Sequence, residues 1–476
     1  MSTALVWLRR DLRLADQPAL AAAARQAERI LPLYIHAPEE REPEGGAASR
    51  WWLHHSLAAL QEQLAAAGNQ LCLDRGASAE RLRAWAEACG AEAVHATTRP
   101  DPAERHQEQA VQAVLAEIGV ALERHPDGLL TDPERIRNRS GRPYRVFTPF
   151  WRSVRDRIQP GAPAPPPPLP PAPATAPASR SLDDLGLLPR IRWDTKLDGY
   201  WRPGEGDAQR RLTAFCEAGL GAYPEARDWP SRPGTSRLSP SLYLGELSLR
   251  TVWDAVTGAD RSTAPEAAVE AFLGELGWRE FAYHLLAQEP ELHRRPVDRR
   301  FEAFSWRPDP DGALLAAWQR GATGIPLVDA GMRELWETGW LHNRVRMVVG
   351  SFLVKNLRLP WQLGEAHFRD TLVDWDPASN SMGWQWVAGC GADAAPYFRI
   401  FNPVRQGQRF DPDGDYVRRW VPELSGLPKP HIHQPWAAPA DTLRQAGISL
   451  GITYPRPIVD LAESRREALA AYQSLG

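Results

Sequence analysis

Val373-Asp-Trp-Asp-Pro-Ala-Ser-Asn-Ser-Met-Gly-Trp-Gln-Trp-Val387 concentrates more chemical capacity than any other stretch of the chain: two acids, an amide and three indoles. The chain holds 20 Trp against 10 Tyr and 12 Phe. An indole can fill a core, stack on a nucleobase or relay an electron, so the count alone chooses no role. Pro, Ser and Gly interrupt the segment, which predicts a functional loop. It runs on into Gly391 to Arg409, whose Arg399, Arg405, Gln406 and Arg409 could form a local positive patch for phosphates.

Three further clusters have useful spacing. Tyr223 and Arg227 precede Gly234-Thr-Ser-Arg-Leu-Ser-Pro240, a hydroxyl-rich turn opening into a helix. Backbone N–H groups and hydroxyls at a helix start suit a phosphate, although an ordinary N-cap turn reads the same way. In Phe272 to Phe281, Glu275, Trp278 and Arg279 fall on one helical face, where a carboxyl, an indole and a guanidinium could bond, stack on and anchor a nucleotide. In Gly339 to Met347, Asn343 and Met347 share a face with Arg346 alongside, an arrangement able to read a neutral heterocycle. For each cluster, core packing with surface ion pairs is the competing explanation.

The elements that hold these clusters fall into two textures. Short apolar runs at Leu5–Leu8, Ile30–Ile35, Leu71–Leu73 and Ala93–His95 alternate with helical periodicity at 18–29, 49–67, 78–89 and 103–118. That alternation predicts a doubly wound parallel sheet, an α/β fold. No GxGxxG follows the first strand. Residues 160–179 are almost wholly Pro and Ala, a surface linker. Beyond Trp201 the pattern is all helical. The expected domains are 1–131 (α/β), 132–200 (connector) and 201–476 (helical).

A net charge of -3 excludes nucleic-acid binding through bulk positive charge. Four scattered cysteines indicate neither a zinc site nor a disulfide framework. No apolar run is long enough for a bilayer, and Met1-Ser-Thr-Ala lacks the basic flank of a secretory signal, so a cytoplasmic protein with no membrane association is expected.

In order along the chain, Gly234-Thr-Ser-Arg-Leu-Ser239, Trp278-Arg-Glu-Phe281, Gly339-Trp-Leu-His-Asn-Arg344, Gly383-Trp-Gln-Trp386 and Ala394-Ala-Pro-Tyr-Phe-Arg-Ile-Phe-Asn-Pro403 closely resemble the photolyase/cryptochrome family. The likeness begins at Val6-Trp-Leu-Arg-Arg-Asp-Leu-Arg-Leu14 and is strongest to class I cyclobutane pyrimidine dimer photolyases. It implies an α/β antenna domain, a connector and a helical domain holding FAD. Tyr223, Thr235, Ser236, Arg237, Leu238 and Ser239 would hold the FAD phosphates. Arg346 and Asp374 would pair beside the flavin ring, Asp376 would meet its polar edge, and Asn380 would sit at N5.

The reaction implied is light-driven electron donation from reduced FAD to a pyrimidine dimer flipped out of DNA; base flipping by photolyases is itself a recognised case of this type. Trp278 and Trp386 would flank the dimer, Glu275 and Asn343 would hydrogen-bond it, and Met347 would touch it. Arg227, Arg344, Arg399, Gln406 and Arg409 would hold the damaged strand, single or double. Trp384, Trp361 and Trp306 would relay electrons to oxidised flavin. The protein is expected to act as a monomer.

Two other members of the family compete. A (6-4) photolyase needs a His pair where this chain has Asn343 and Met347, so its proton transfer lacks agents. A cryptochrome photoreceptor usually carries a regulatory tail beyond the core, whereas this chain ends soon after Val459. Trp375 departs from the family by replacing a small residue between Asp374 and Asp376. The second chromophore stays open among folate, deazaflavin, flavin and none: Ala103-Glu104 keeps half of a folate-type Asn-Glu pair.

Overall fold

A computed structural model describes residues 2–40 and 43–475. Five strands, β1 (Thr3–Leu8), β2 (Arg29–His36), β3 (Cys72–Arg75), β4 (Ala93–Thr98) and β5 (Ala121–Pro126), form a wholly parallel sheet in the order β3-β2-β1-β4-β5. Parallel strands need crossovers, supplied here by α1 (Pro18–Gln26), α2 (Ala47–Ala66), α3 (Ser78–Cys89) and α4 (Pro102–Glu117). The central strand β1 is buried along its whole length, which is why it reads as an unbroken apolar run.

The fifth strand was not foreseen. Ala121-Leu-Glu-Arg-His-Pro126 is polar and nowhere fully buried because it is an edge strand paired only to β4, so it lacks the apolar signature. The Pro/Ala segment is irregular, as its composition predicts, but it is tied down. Asp16 N–H donates to Ala164 O at 2.8 Å, Asn69 Nδ2 to Pro170 O at 2.7 Å, and Ile30 N–H to Pro171 O at 3.2 Å. Extended polyproline backbone leaves its carbonyls free to accept such bonds.

The chain forms two compact units, each discontinuous in sequence. The first comprises 1–221, 236–290 and 373–376; besides the sheet it holds the long helix Glu266–Gln288. The second comprises 222–235, 291–372 and 377–476 and is helical, with an isolated bridge at Leu450 and Tyr454. Its core includes Trp318, Val345, Val348, Phe352 and Trp361. Among the described residues, no helix is long and apolar enough to cross a membrane.

Candidate active site

In the first unit the turn before helix Ser239–Tyr243 is anchored by buried Leu238. Arg237 adopts φ +52°, a left-handed conformation uncommon outside Gly, and its guanidinium lies 5.8 Å from the Trp201 ring. Ser239 Oγ donates to Asp374 Oδ2 at 2.7 Å, fixing one of the two acids. The other, Asp376, accepts from Arg279 Nη1 at 2.6 Å and from Tyr283 Oη at 2.8 Å. Arg279, expected from its helical face to anchor a nucleotide, is turned inward into this pair, with its side chain only 11% exposed. Although burial works to lower the Arg279 pKa, Tyr283 and Asp376 overcome it and raise it.

The network continues through the α/β part of this unit. Arg10 donates to Tyr283 Oη at 3.3 Å and is bound bidentately by Glu104, all three side chains being buried. Glu104 thus has a structural task as well as its place in the folate-type pair. Trp375, fully buried between the two acids, packs edge-on to Tyr243 at 5.8 Å and against Gly45, where a Cβ would stand 3.2 Å from the indole. Gly45 and Tyr243 also line a cleft with about 620 Å³ of non-protein space, part of it open to solvent, together with Arg9, His36, Arg50 and Glu104. The cleft lies at the carboxyl ends of β1 and β2, the usual ligand position in such sheets.

On helix Glu266–Gln288, Glu275 and Trp278 are both half-buried. Trp278 is not free on both faces: Phe147 stacks on it, with ring centroids 3.8 Å apart and planes 10° off parallel. Trp151 sits behind, where a Cβ on Gly277 would approach its ring to 2.5 Å, so glycine is required there. No helical spacing links Phe147 to Trp278. The aromatic run Phe147-Thr-Pro-Phe-Trp151 is the local signal for it, within the segment expected as connector.

In the second unit, buried Tyr223 carries Arg227 over its ring at 5.0 Å. The turn at Gly234 comes so close to Ala226 O that a Cβ would stand 2.1 Å from it. That approach leaves the backbone leading to Thr235 no room for a side chain at 234. Arg344 pairs with Asp228 at 2.5 Å and lies 4.2 Å from the Phe410 ring, which Arg409 also covers at 4.9 Å. Arg399 and Arg409 are exposed, Gln406 half-buried; Asn343 is exposed and Met347 half-buried, one turn apart on helix Asn343–Ser351. Arg346 Nε donates to Leu341 O at 2.8 Å.

The segment expected as a loop is a helix from Pro377 to Ala388. Proline at the first helical position is pre-shaped for the turn rather than disruptive, and that outweighs the Ser and Gly that suggested a loop. The helix puts Asn380 and Trp384 one turn apart and turns Trp386 to another side. Both Asn380 amide hydrogens are used by Glu365, at 3.0 Å to its carboxylate and 3.3 Å to its carbonyl, leaving Oδ1 as the acceptor. Glu365 is buried and no local pattern in the sequence betrays it.

Trp384 is buried against Phe368 at 4.9 Å and against Gly364, where a Cβ would stand 2.1 Å from the indole. Trp361 lies one turn before Gly364 on the same face of helix Trp361–Thr371 and is fully buried. Arg307 N–H donates to Arg358 O at 2.8 Å, bringing half-buried Trp306 to the segment leading into that helix. Trp384 and Trp361 are thus both buried, and Trp306 is half-buried. Trp386 faces Phe401 at 6.2 Å.

Buried Lys355 donates to Arg399 O at 3.0 Å and sits 5.1 Å from the Tyr397 ring. Burial pushes its pKa from 10.5 down to about 7; Cys390 opposes this and Arg399 adds to it. Because the unfolded chain takes up this proton at higher pH than the folded one, the lysine's contribution to stability rises as pH rises from 7 to 10.5. We expect the melting temperature of wild type minus that of Lys355→Met to grow between pH 7 and 9.5 in parallel thermal melts. A pH-independent difference would contradict it.

In the first unit Ser239 at a helix start and two acids fixed by their own partners, and in the second the oriented amide of Asn380, are each of a chemistry that can hold part of a flavin dinucleotide. The comparisons agree. Residues 4–172 match the family described as DNA photolyase, and residues 272–474 match the FAD binding domain of DNA photolyase. This chain belongs to the photolyase/cryptochrome family and is a flavoprotein with an FAD-binding helical domain.

Among its relatives, the deoxyribodipyrimidine photo-lyase of Agrobacterium fabrum is 48% identical, covering 99% of this chain and 98% of the relative. Cryptochrome-1 of Arabidopsis thaliana is 39% identical over 97% of this chain and 69% of the relative. A solved class III photolyase from Agrobacterium tumefaciens superposes with a TM-score of 0.96 at 46% identity, covering 100% and 98% of the two chains. An archaeal photolyase from Sulfolobus tokodaii, solved with two FAD molecules that imply a light-harvesting cofactor, gives 0.83 at 28% identity, covering 99% and 100%.

Proposed function

We propose that the protein repairs cyclobutane pyrimidine dimers in DNA under near-ultraviolet or blue light. The likeness to a solved class III photolyase favours that class over the class I suggested by the motifs alone. The single observation that carries the repair reading is the aromatic wall at Trp278, braced from behind by Phe147, beside Glu275 on the same helix. A pre-positioned indole next to a carboxylate is suited to stack on and hydrogen-bond a flipped pyrimidine dimer.

When bound, reduced FAD supplies the electron that splits the dimer. The chain's own residues do the rest. Tyr223, Thr235, Ser236, Arg237, Leu238 and Ser239 would hold the phosphates; Arg346, Asp374 and Asp376 would hold the ring; Asn380, its amide hydrogens turned to Glu365, would offer Oδ1 as an acceptor. A neutral amide there adds no negative charge beside an anionic flavin. Glu275, Asn343, Met347, Trp278 and Trp386 receive the dimer, and Arg227, Arg344, Arg399, Gln406 and Arg409 hold the strand. The cleft holding Gly45, Glu104 and Tyr243 is our candidate seat for a second chromophore, with Trp375 as the packed connection to the aspartates.

Replacing Glu275 with Ala should lower repair yield at least several-fold while FAD content is unchanged, since a lost hydrogen bond to a charged group is worth about 1.5–3 kcal/mol. Loss of FAD in that variant would show that the lesion pocket is misassigned. The likeness to Cryptochrome-1 of Arabidopsis thaliana supports a second reading, a photoreceptor without repair, which predicts no effect of that substitution on any DNA activity.

A further inference from the structure

We propose that His95, Glu123 and His125 form a binding site for a divalent metal of the Zn²⁺ type on the edge of the parallel sheet. Parallel pairing puts Glu123 beside His95 and His125 beside Thr97, and residues two apart in a strand share a face, so all three side chains rise from one side of β4 and β5. Their ligand atoms lie within 4.8 Å of one another. His95 Nδ1 is 3.1 Å from His125 Nε2 and 3.6 Å from Glu123 Oε2. Bonds of 2.0–2.1 Å in a tetrahedral zinc site separate neighbouring ligand atoms by about 3.3 Å, between these two spacings.

Without metal the imidazoles share an N–H···N hydrogen bond. Their planes are 11° apart and their centroids 5.3 Å apart, which sets the two nitrogens head-on. Binding requires the rings to turn, His125 more than His95, until both lone pairs converge on one point at zinc–nitrogen distance. His125 is half-buried on an edge strand, which gives it that freedom, while His95 is only 1% exposed and moves less. The proton of the hydrogen bond passes through water to the other nitrogen of its own ring, so two neutral imidazoles coordinate without net proton release. Glu123 supplies one negative charge, and water completes the tetrahedron. Arg25 of α1 acts electrostatically on His125 and opposes the cation, so affinity should be moderate. The bound ion would staple the exposed edge strand β5 to β4, adding its binding energy to the stability of the sheet.

The test is calorimetric titration of metal-stripped, FAD-loaded full-length protein with Zn²⁺, paired with thermal melts. We expect one equivalent to bind with a Kd near or below about 10 µM and to raise the melting temperature by several degrees at saturation. His125→Ala and Glu123→Gln should each weaken binding at least about tenfold, the loss of one coordinating group. Glu123 is on the exposed strand edge, so its variant reports even if His125→Ala fails to fold. No zinc uptake by wild type, or equal affinity in wild type and Glu123→Gln, would overturn the proposal and leave a plain hydrogen-bonded histidine pair.

Discussion

Trp384→Phe should abolish photoreduction of oxidised flavin while leaving repair by enzyme reduced beforehand close to wild type. Phe keeps most of the packing against Phe368 and Gly364 but removes the readily oxidised indole. Under the proposed relay Trp384 is the indole that hands electrons to the flavin, with buried Trp361 and half-buried Trp306 behind it, so its loss would disconnect the flavin from the other two. The smaller ring leaves a void costing about 1–3 kcal/mol, which FAD content and a thermal melt will register separately from electron supply. The measurement is flavin absorption under blue light with an external reductant, followed by repair after chemical reduction. Photoreduction at the wild-type rate would remove Trp384 from the electron path.

Trp386→Ala should act in the opposite sense. Photoreduction persists, and binding to dimer-containing DNA weakens by about 5- to 150-fold, because stacking a base on an aromatic ring is worth about 1–3 kcal/mol. Trp386 is half-buried beside Phe401 on a different side of the helix from Trp384, so the two indoles of Gly383-Trp-Gln-Trp386 can be lost independently. A fluorescence-anisotropy titration with dimer-containing and intact oligonucleotides separates lesion binding from general DNA affinity. Equal weakening for both would make Trp386 a strand contact instead of part of the lesion wall.

The sequence made some of this site legible and hid the rest for physical reasons. The central strands announce themselves because β1 and β2 are buried on both faces, while β5 is silent because an edge strand tolerates Glu, Arg and His. Motif residues such as Asn380 and Asp374 could be named, but their holders could not. Glu365 reaches Asn380 across 15 positions, and Phe147 reaches Trp278 from a segment that looked like connector. Arg279 shows the cost of reading a helical face without depth: the spacing was right, but Asp376 and Tyr283 draw the guanidinium inward. The loop expected over 373–387 failed because Pro377 starts a helix there.

The claim that this flavoprotein repairs pyrimidine dimers is tested most directly by illuminating reduced holoprotein with DNA carrying thymine dimers and quantifying the restored thymines, with a dark control. The account predicts light-dependent restoration in both single- and double-stranded DNA, and none in the dark. Full FAD occupancy with neither restoration nor preferential binding of dimer-containing DNA would contradict it and favour a photoreceptor.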